Sequence, residues 1–172
     1  MDHIAQIAGK LADHQLDAML LASQAGERYA VGFHGEGAVL VTAEECLYCT
    51  DSRYIEAAEA QVAGVRVVQT GPGRSHRTLV REAVEELGVR RLGFEEGAMS
   101  VASWRAWKEA LPAELAPAQK LPDTLRAADA LARAARAEVV QVIGTKFVLY
   151  RESHNKEKKD KIVLVKDKRR PE

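Results

Sequence analysis

The stretch GAVLVTAEECLYCTD, residues 37–51, sets two apolar, strand-like runs (37–43 and 45–50) around a connection too short to hold a helix, so the two pair as an antiparallel hairpin. The other apolar runs before residue 121 are separated by segments of helical spacing. LDAMLLAS (16–23), VRVVQT (65–70), RRLGFEE (90–96) and ELAPAQK (114–120) read as strands. Ile4, Ile7, Ala8 and Leu11 mark a helix over 3–14, and QAGERYAVGF has the spacing of a second. DSRYIEAAEAQV starts a third, with Asp51 or Ser52 as N-cap and Glu56 near its positive end. Ser75 caps a fourth, whose apolar face is Leu79, Val80, Ala83, Val84 and Leu87 and which Gly88 ends. Ser100 caps a fifth carrying Val101, Trp104, Trp107 and Leu111. Strands alternating with helices, with one hairpin among them, give an α/β fold: a mixed sheet flanked by helices.

Beyond residue 120 the composition changes. LPDTLRAADALARAARAE (121–138) is one alanine-rich helical stretch, and VVQVIG and KFVLYR beyond it are strand-like, with Gly144 and Thr145 as a tight turn between them. After the charged HNKEKKDK, IVLVK offers a third strand. These runs have the β-propensity for a meander but too few residues to bury its faces alone. The chain's 25 basic and 25 acidic residues cancel, yet residues 129–172 hold 12 Lys/Arg against 7 Asp/Glu, a net of +5 that leaves −5 on the body. An acidic body with a basic tail reads as a nucleic-acid contact, as a solvated tail without a partner, or as two segments of different origin.

Several chemistries lack their side chains. Cys46 and Cys49 form a C-x-x-C, but in the hairpin's second strand positions three apart point to opposite faces. A redox pair sits at a helix N-terminus and a structural zinc site takes four ligands, so these are expected to be two half-buried structural thiols. His3, His14, His34, His76 and His154 are isolated, none in a metal-binding spacing, and those on helices 3–14 and 76–87 are expected at the surface. GFHGEG precedes a strand, not a helix, so Gly32, Gly35 and Gly37 read as turn residues; TGPGRSH lacks the Lys-Ser/Thr ending of a nucleotide loop. Trp104 and Trp107, three apart on one helix, fit a core or an interface. No apolar run approaches the roughly 20 residues of a membrane span, and the early acid of MDHIAQIAGK is unlike a signal peptide. The expected location is the cytoplasm, with no membrane partner.

The segment ERYAVGFHGEGAVLVTAEECLYCTDSRYIEAAEAQ resembles the N-terminal domain of Xaa-Pro aminopeptidases and prolidases, the creatinase-type group. The resemblance rests on Arg28-Tyr29 and Gly32-Phe33 ahead of the hairpin and on Thr50-Asp51-Ser52-Arg53-Tyr54 after it. LPDTLRA is similar to the family's connector into its catalytic half. Such a resemblance implies a ribonuclease-H-like α/β fold that is not itself catalytic and that serves in subunit contact and in covering a partner's active-site mouth. The family's two manganese or cobalt ions are held by two Asp, one His and two Glu in a C-terminal half whose ligand motifs are not in this sequence. No catalytic residue, metal ligand or cofactor is therefore expected in this chain. Asp51, Arg53, Tyr54 and His34 are the candidates for a substrate entrance or subunit contact. Their residue types also fit a local role, with Asp51 capping a helix, Arg53 paired to it and Tyr54 packed, and for Asp51, Arg53 and Tyr54 the local role is favoured.

AEVVQVIGTKFVLYRES (137–153) resembles the end of the small bacterial YhbY-like proteins with a CRM-type RNA-binding domain, entered without the G-x-x-G loop that would clamp RNA backbone. Two domains follow: a creatinase-N-type body over 1–127 and a truncated basic tail over 128–172, with a C-terminal helix and β-hairpin, as in a fusion. Lys146, Arg151, Lys156, Lys158 and Lys159 are the RNA-contact candidates, whereas Phe147 and Tyr150 fall on opposite strand faces and form no stacking platform. The expected function is that of a non-catalytic peptidase N-domain. Its partners would be a second copy or the missing catalytic domain; the alternative is RNA or ribosome binding through the tail.

Overall fold

Alternation along the strands gives the sheet of this protein two apolar faces, and each face takes its own set of helices. The computed structural model describes residues 2–143, 147–152 and 161–166, with side-chain surroundings through residue 134. The elements run α1 (His3–Ala8), β1 (Ala18–Leu21), α2 (Gln24–Val31), β2 (Ala38–Thr42), β3 (Cys46–Thr50), α3 (Ile55–Gln61), β4 (Arg66–Gln69), α4 (His76–Glu86), β5 (Arg91–Phe94), α5 (Val101–Ala110), β6 (Glu114–Pro117), α6 (Lys120–Ile143), β7 (Phe147–Glu152) and β8 (Lys161–Lys166). The chain divides into two compact units, Met1–Arg126 and Ala127–Glu172.

In the first unit six strands lie in the order β4-β3-β2-β1-β5-β6. β2 is antiparallel to both neighbours, while β3–β4, β1–β5 and β5–β6 are parallel. The β1–β3 meander, continued on the other side of β1 by parallel strands, is the expected mixed α/β sheet. Met19 and Leu21, Val39 and Val41, Cys46 and Tyr48 face one core with Ile7, Tyr29, Ala30, Ala58 and Leu121. Ala18 and Leu20, Ala38 and Leu40, Leu47 and Cys49 face the other, under Leu79, Val80, Ala83 and Val84 of α4 and Trp107 of α5. Burying these side chains is the dominant favourable term in folding the body.

The helix ends follow the capping chemistry of the sequence. Ser23, Ser75 and Ser100 each accept an N–H three residues on, from Gly26, Thr78 and Ser103. Gly88, at φ +63, leaves α4 through the left-handed conformation that glycine tolerates best. At the β6 edge the amides of Glu114 and Ala118 bond inward to Arg90 and Phe94, so alternation turns position 117 outward, where proline has no N–H to offer another strand.

In the first unit four expectations are corrected. The helix over 3–14 stops at Ala8 and resumes as one 3-10 turn at Ala12–His14, with Gln15 at φ 56, which lets Leu11 and Leu16 both enter the core. The N-cap of α3 is Tyr54, not Asp51 or Ser52, because the Asp51 carboxylate is taken by Arg53. His3 and His76 are half-buried instead of surface residues, His3 stacking on the Tyr29 ring at 4.3 Å. Cys46 and Cys49 are fully buried, not half-buried, and sit on opposite faces as alternation requires. Of the two tryptophans, Trp107 is in the core and Trp104 is half-buried, with Lys108 Nζ 5.0 Å over its ring.

In the second unit, β7 and β8 form an antiparallel hairpin in register from Phe147↔Lys166 to Glu152↔Lys161. The strand expected over 139–144 is instead the end of α6, which runs to Ile143. Once an alanine-rich helix is nucleated, each added residue gains a hydrogen bond, and β-branched residues cost only a few tenths of a kcal/mol each. The turn expected at Gly144 and Thr145 lies outside the described residues. Among the described residues no helix is long and apolar enough to cross a membrane.

Candidate functional site

Three of the four candidate residues of the body meet at one corner, where β3 ends and α3 begins. The carbonyl of Asp51 accepts the N–H groups of Tyr54 and Ile55, both at 3.1 Å, which turns the chain into α3. The Asp51 carboxylate accepts the N–H of Arg53 at 2.8 Å and, from its side chain, Nε at 3.0 Å and Nη2 at 2.6 Å. Nη2 also reaches Glu36 Oε2 at 2.7 Å, and the guanidinium lies 5.0 Å from the centre of the Tyr54 ring. The Arg53 guanidinium therefore holds the Asp51 carboxyl below the usual carboxylate range, and the two carboxylates push Arg53 up. Arg53 is 60% exposed and Glu36 55%, so solvent screens these pairs and they orient more than they stabilise.

Glu36 comes from the loop 32–37, and that loop is anchored from inside the body. Glu27, on α2 and 2% exposed, accepts the N–H of Gly35 at 3.1 Å, the N–H of Gly37 at 2.8 Å and the Tyr48 hydroxyl at 3.2 Å. Thr50 Oγ1 donates to the Gly35 carbonyl at 2.6 Å, so both backbone polar groups of Gly35 are held. His34, the fourth candidate, has its Nδ1 3.4 Å from Glu27 Oε2. His76, at the start of α4, is pulled below the usual histidine value by burial, against the opposing charges of Asp51 and Glu27.

A second buried carboxylate, Glu95, follows β5. It accepts Ser23 N–H at 3.2 Å and Ser23 Oγ–H at 2.9 Å, and Arg126 Nη1 lies 3.8 Å away. It lines a cavity of about 220 Å³ with Ser23, Met99, Ser100 and Ser103. Among the described residues no three His, Cys, Asp or Glu converge as a metal site. The carboxylates at the corner are already engaged by a guanidinium and by backbone amides, so these residues do not fit a two-metal centre.

Sequence reasoning missed Glu27, Glu36 and Glu95. A signal for Glu27 was available: it belongs to the buried face of α2 with Gly26, Tyr29 and Ala30, and a buried carboxylate needs donors such as the glycine-rich loop supplies. Of the RNA-contact candidates, Lys146, Lys156, Lys158 and Lys159 lie outside the described residues, and Arg151 is placed in β7 by its backbone alone.

The family model described as Creatinase/Prolidase N-terminal domain matches residues 3–128. The "Uncharacterized peptidase YqhT" of Bacillus subtilis (strain 168) is 30% identical over 128 residues, which are 73% of this chain and 35% of that protein. The structure of an Xaa-Pro dipeptidase from Bacillus anthracis superposes with a TM-score of 0.68 at 33% identity, over 73% of this chain and 35% of that one. The N-terminal domain of the cytoplasmic peptidase PepQ from Mycobacterium tuberculosis H37Rv superposes with a TM-score of 0.64 at 29% identity, over 72% of this chain and 97% of that one. The chain thus spans about a third of the length of the full peptidases and nearly all of an N-terminal domain solved by itself. Through residues 3–128 this chain belongs to the creatinase/prolidase N-terminal domain family.

Proposed function

We propose that the chain works as the non-catalytic N-terminal module of an Xaa-Pro peptidase-type system, making a subunit contact and covering the mouth of an active site that another polypeptide segment supplies. The observation that carries this reading is that residues 3–128 match the N-terminal domain family and superpose on 97% of a peptidase N-domain solved by itself. The manganese or cobalt ions of such a system would reside in the catalytic half. The contact surface is the corner of Glu36, Asp51, Arg53 and Tyr54, where a guanidinium is presented at the surface between two carboxylates. Its partner is a second copy of this chain or the catalytic half. Light scattering on the full chain and on Arg53→Ala tests the self-association arm. The reading expects an associated mass that falls towards the monomer in the variant; equal association of both proteins would remove the corner from the interface.

The tail supports a second reading, RNA contact, on one observation: its net charge of +5. Binding of a structured RNA at about 150 mM salt, where weak phosphate contacts are largely lost, should be tighter than for a chain with a scrambled tail. Equal affinity would end this reading.

A further inference from the structure

The loop that delivers Glu36 to Arg53 contains a residue in a conformation that its own side chain disfavours. Glu36 has φ +50, in the left-handed region that non-glycine residues seldom occupy without a compensating contact. The two residues flanking it are Gly35 and Gly37, and the amides of both point at one buried carboxylate, that of Glu27. Neither glycine can be replaced freely. A Cβ at Gly35 would lie 2.8 Å from the Tyr48 hydroxyl, and one at Gly37 would lie 2.2 Å from the Cys49 carbonyl.

We infer that Glu27 is the positioning residue for Arg53: by capturing the N–H groups on both sides of Glu36 it holds that residue left-handed, and from there the Glu36 carboxylate reaches the guanidinium. This rests on the reading of the corner as a contact surface, and it adds what keeps that surface in shape. The Asp51–Arg53 pair is local, two residues apart, and by itself leaves the guanidinium free to swing with its own turn. Glu36 is 17 residues away on a different element, so its contact ties the guanidinium to the body. The tie is only as rigid as the loop, and the loop's rigidity comes from Glu27 on the Gly35 N–H and Thr50 on the Gly35 carbonyl.

The test is NMR on the uniformly ¹⁵N-labelled full chain, comparing wild type with Glu27→Gln and Glu36→Gly. An amide at position 27 cannot accept both loop N–H groups as the carboxylate does. The expected result is at least tenfold faster exchange of the Gly35 or Gly37 amide in Glu27→Gln. The Arg53 Nε–H heteronuclear NOE should also fall to the value seen in Glu36→Gly, while unfolding stays cooperative. An Arg53 signal unchanged in Glu27→Gln but lowered in Glu36→Gly overturns the inference. If Glu27→Gln loses its folding transition, native-state exchange on the wild type decides. Gly35, Gly37 and Arg53 Nε–H must then open together, and separate openings overturn it. These signals are read in the unassociated chain, so they fail or succeed independently of the light-scattering result.

Discussion

The hydroxyl of Tyr48, on β3, donates to the carboxylate of Glu27, on α2, across 3.2 Å of the buried interior. Burial, reinforced by the Glu27 charge, pushes the phenol well above the usual tyrosine value, so Tyr48 stays a donor at any working pH. Glu27→Ala leaves three donors without an acceptor, the amides of Gly35 and Gly37 and this hydroxyl, and should cost about 3 kcal/mol. Tyr48→Phe removes one donor and leaves the carboxylate its two amides, at about 1–1.5 kcal/mol. Urea unfolding midpoints at constant slope measure both. Equal costs for the two variants would refute the clamp.

Gly37→Ala should be more damaging than an ordinary loop substitution. Its Cβ would meet the Cys49 carbonyl at 2.2 Å and the Tyr48 ring at 2.7 Å, and the carbonyl belongs to a central strand that cannot give way cheaply. A loss of about 3 kcal/mol or more is expected from the same urea titration.

Much of this architecture was legible, because period and capping chemistry are local properties. Ser75 and Ser100 are caps and Cys46 and Cys49 oppose one another as the sequence predicts, whereas the Ser23 cap is found only in the structure. What escaped depends on contacts distant in sequence. The partners of Glu27 are fixed only when the loop eight to ten residues later folds over it, and Glu95 is held by Ser23, 72 residues earlier, with Arg126 nearby. The pairing of Arg53 with Asp51 is found as expected, but the cap of α3 falls at Tyr54 because the chain first makes a turn at 51–54, in which the Asp51 carboxylate accepts the Arg53 N–H. In the tail the helix over 121–138 and the strands at KFVLYR and IVLVK are found as expected, and only VVQVI departs: it has strand propensity, and the helix entering it overrides that preference.

The two thiols should be inert. Burial pushes both Cys46 and Cys49 up to about 12, so almost no thiolate exists near neutral pH. A thiol-reactive disulfide reagent should leave the native chain unlabelled and modify both residues in denaturant. Rapid labelling under native conditions would mean that β3 opens.

Asp17 gives the acid limb of stability an assignable contributor. Its Oδ2 accepts the amides of Arg91 at 2.8 Å and Arg90 at 2.9 Å, which hold its carboxyl below the usual value. A depressed folded value means stability that is present above the unfolded value of about 3.9 and is lost as pH falls through the folded one. The advantage of wild type over Asp17→Asn should therefore be full above about pH 5 and shrink steadily below about pH 4. A difference independent of pH would show that the charge of Asp17 plays no part.

The central proposal is that residues 3–128 act as a covering and contact module rather than as a hydrolytic centre. It is tested most directly by giving the purified full-length chain manganese as the sole added metal and following release of proline from an Ala-Pro dipeptide. The account predicts release no faster than in the protein-free blank. Release well above that blank, retained through repurification and lost with a chelator, would contradict it.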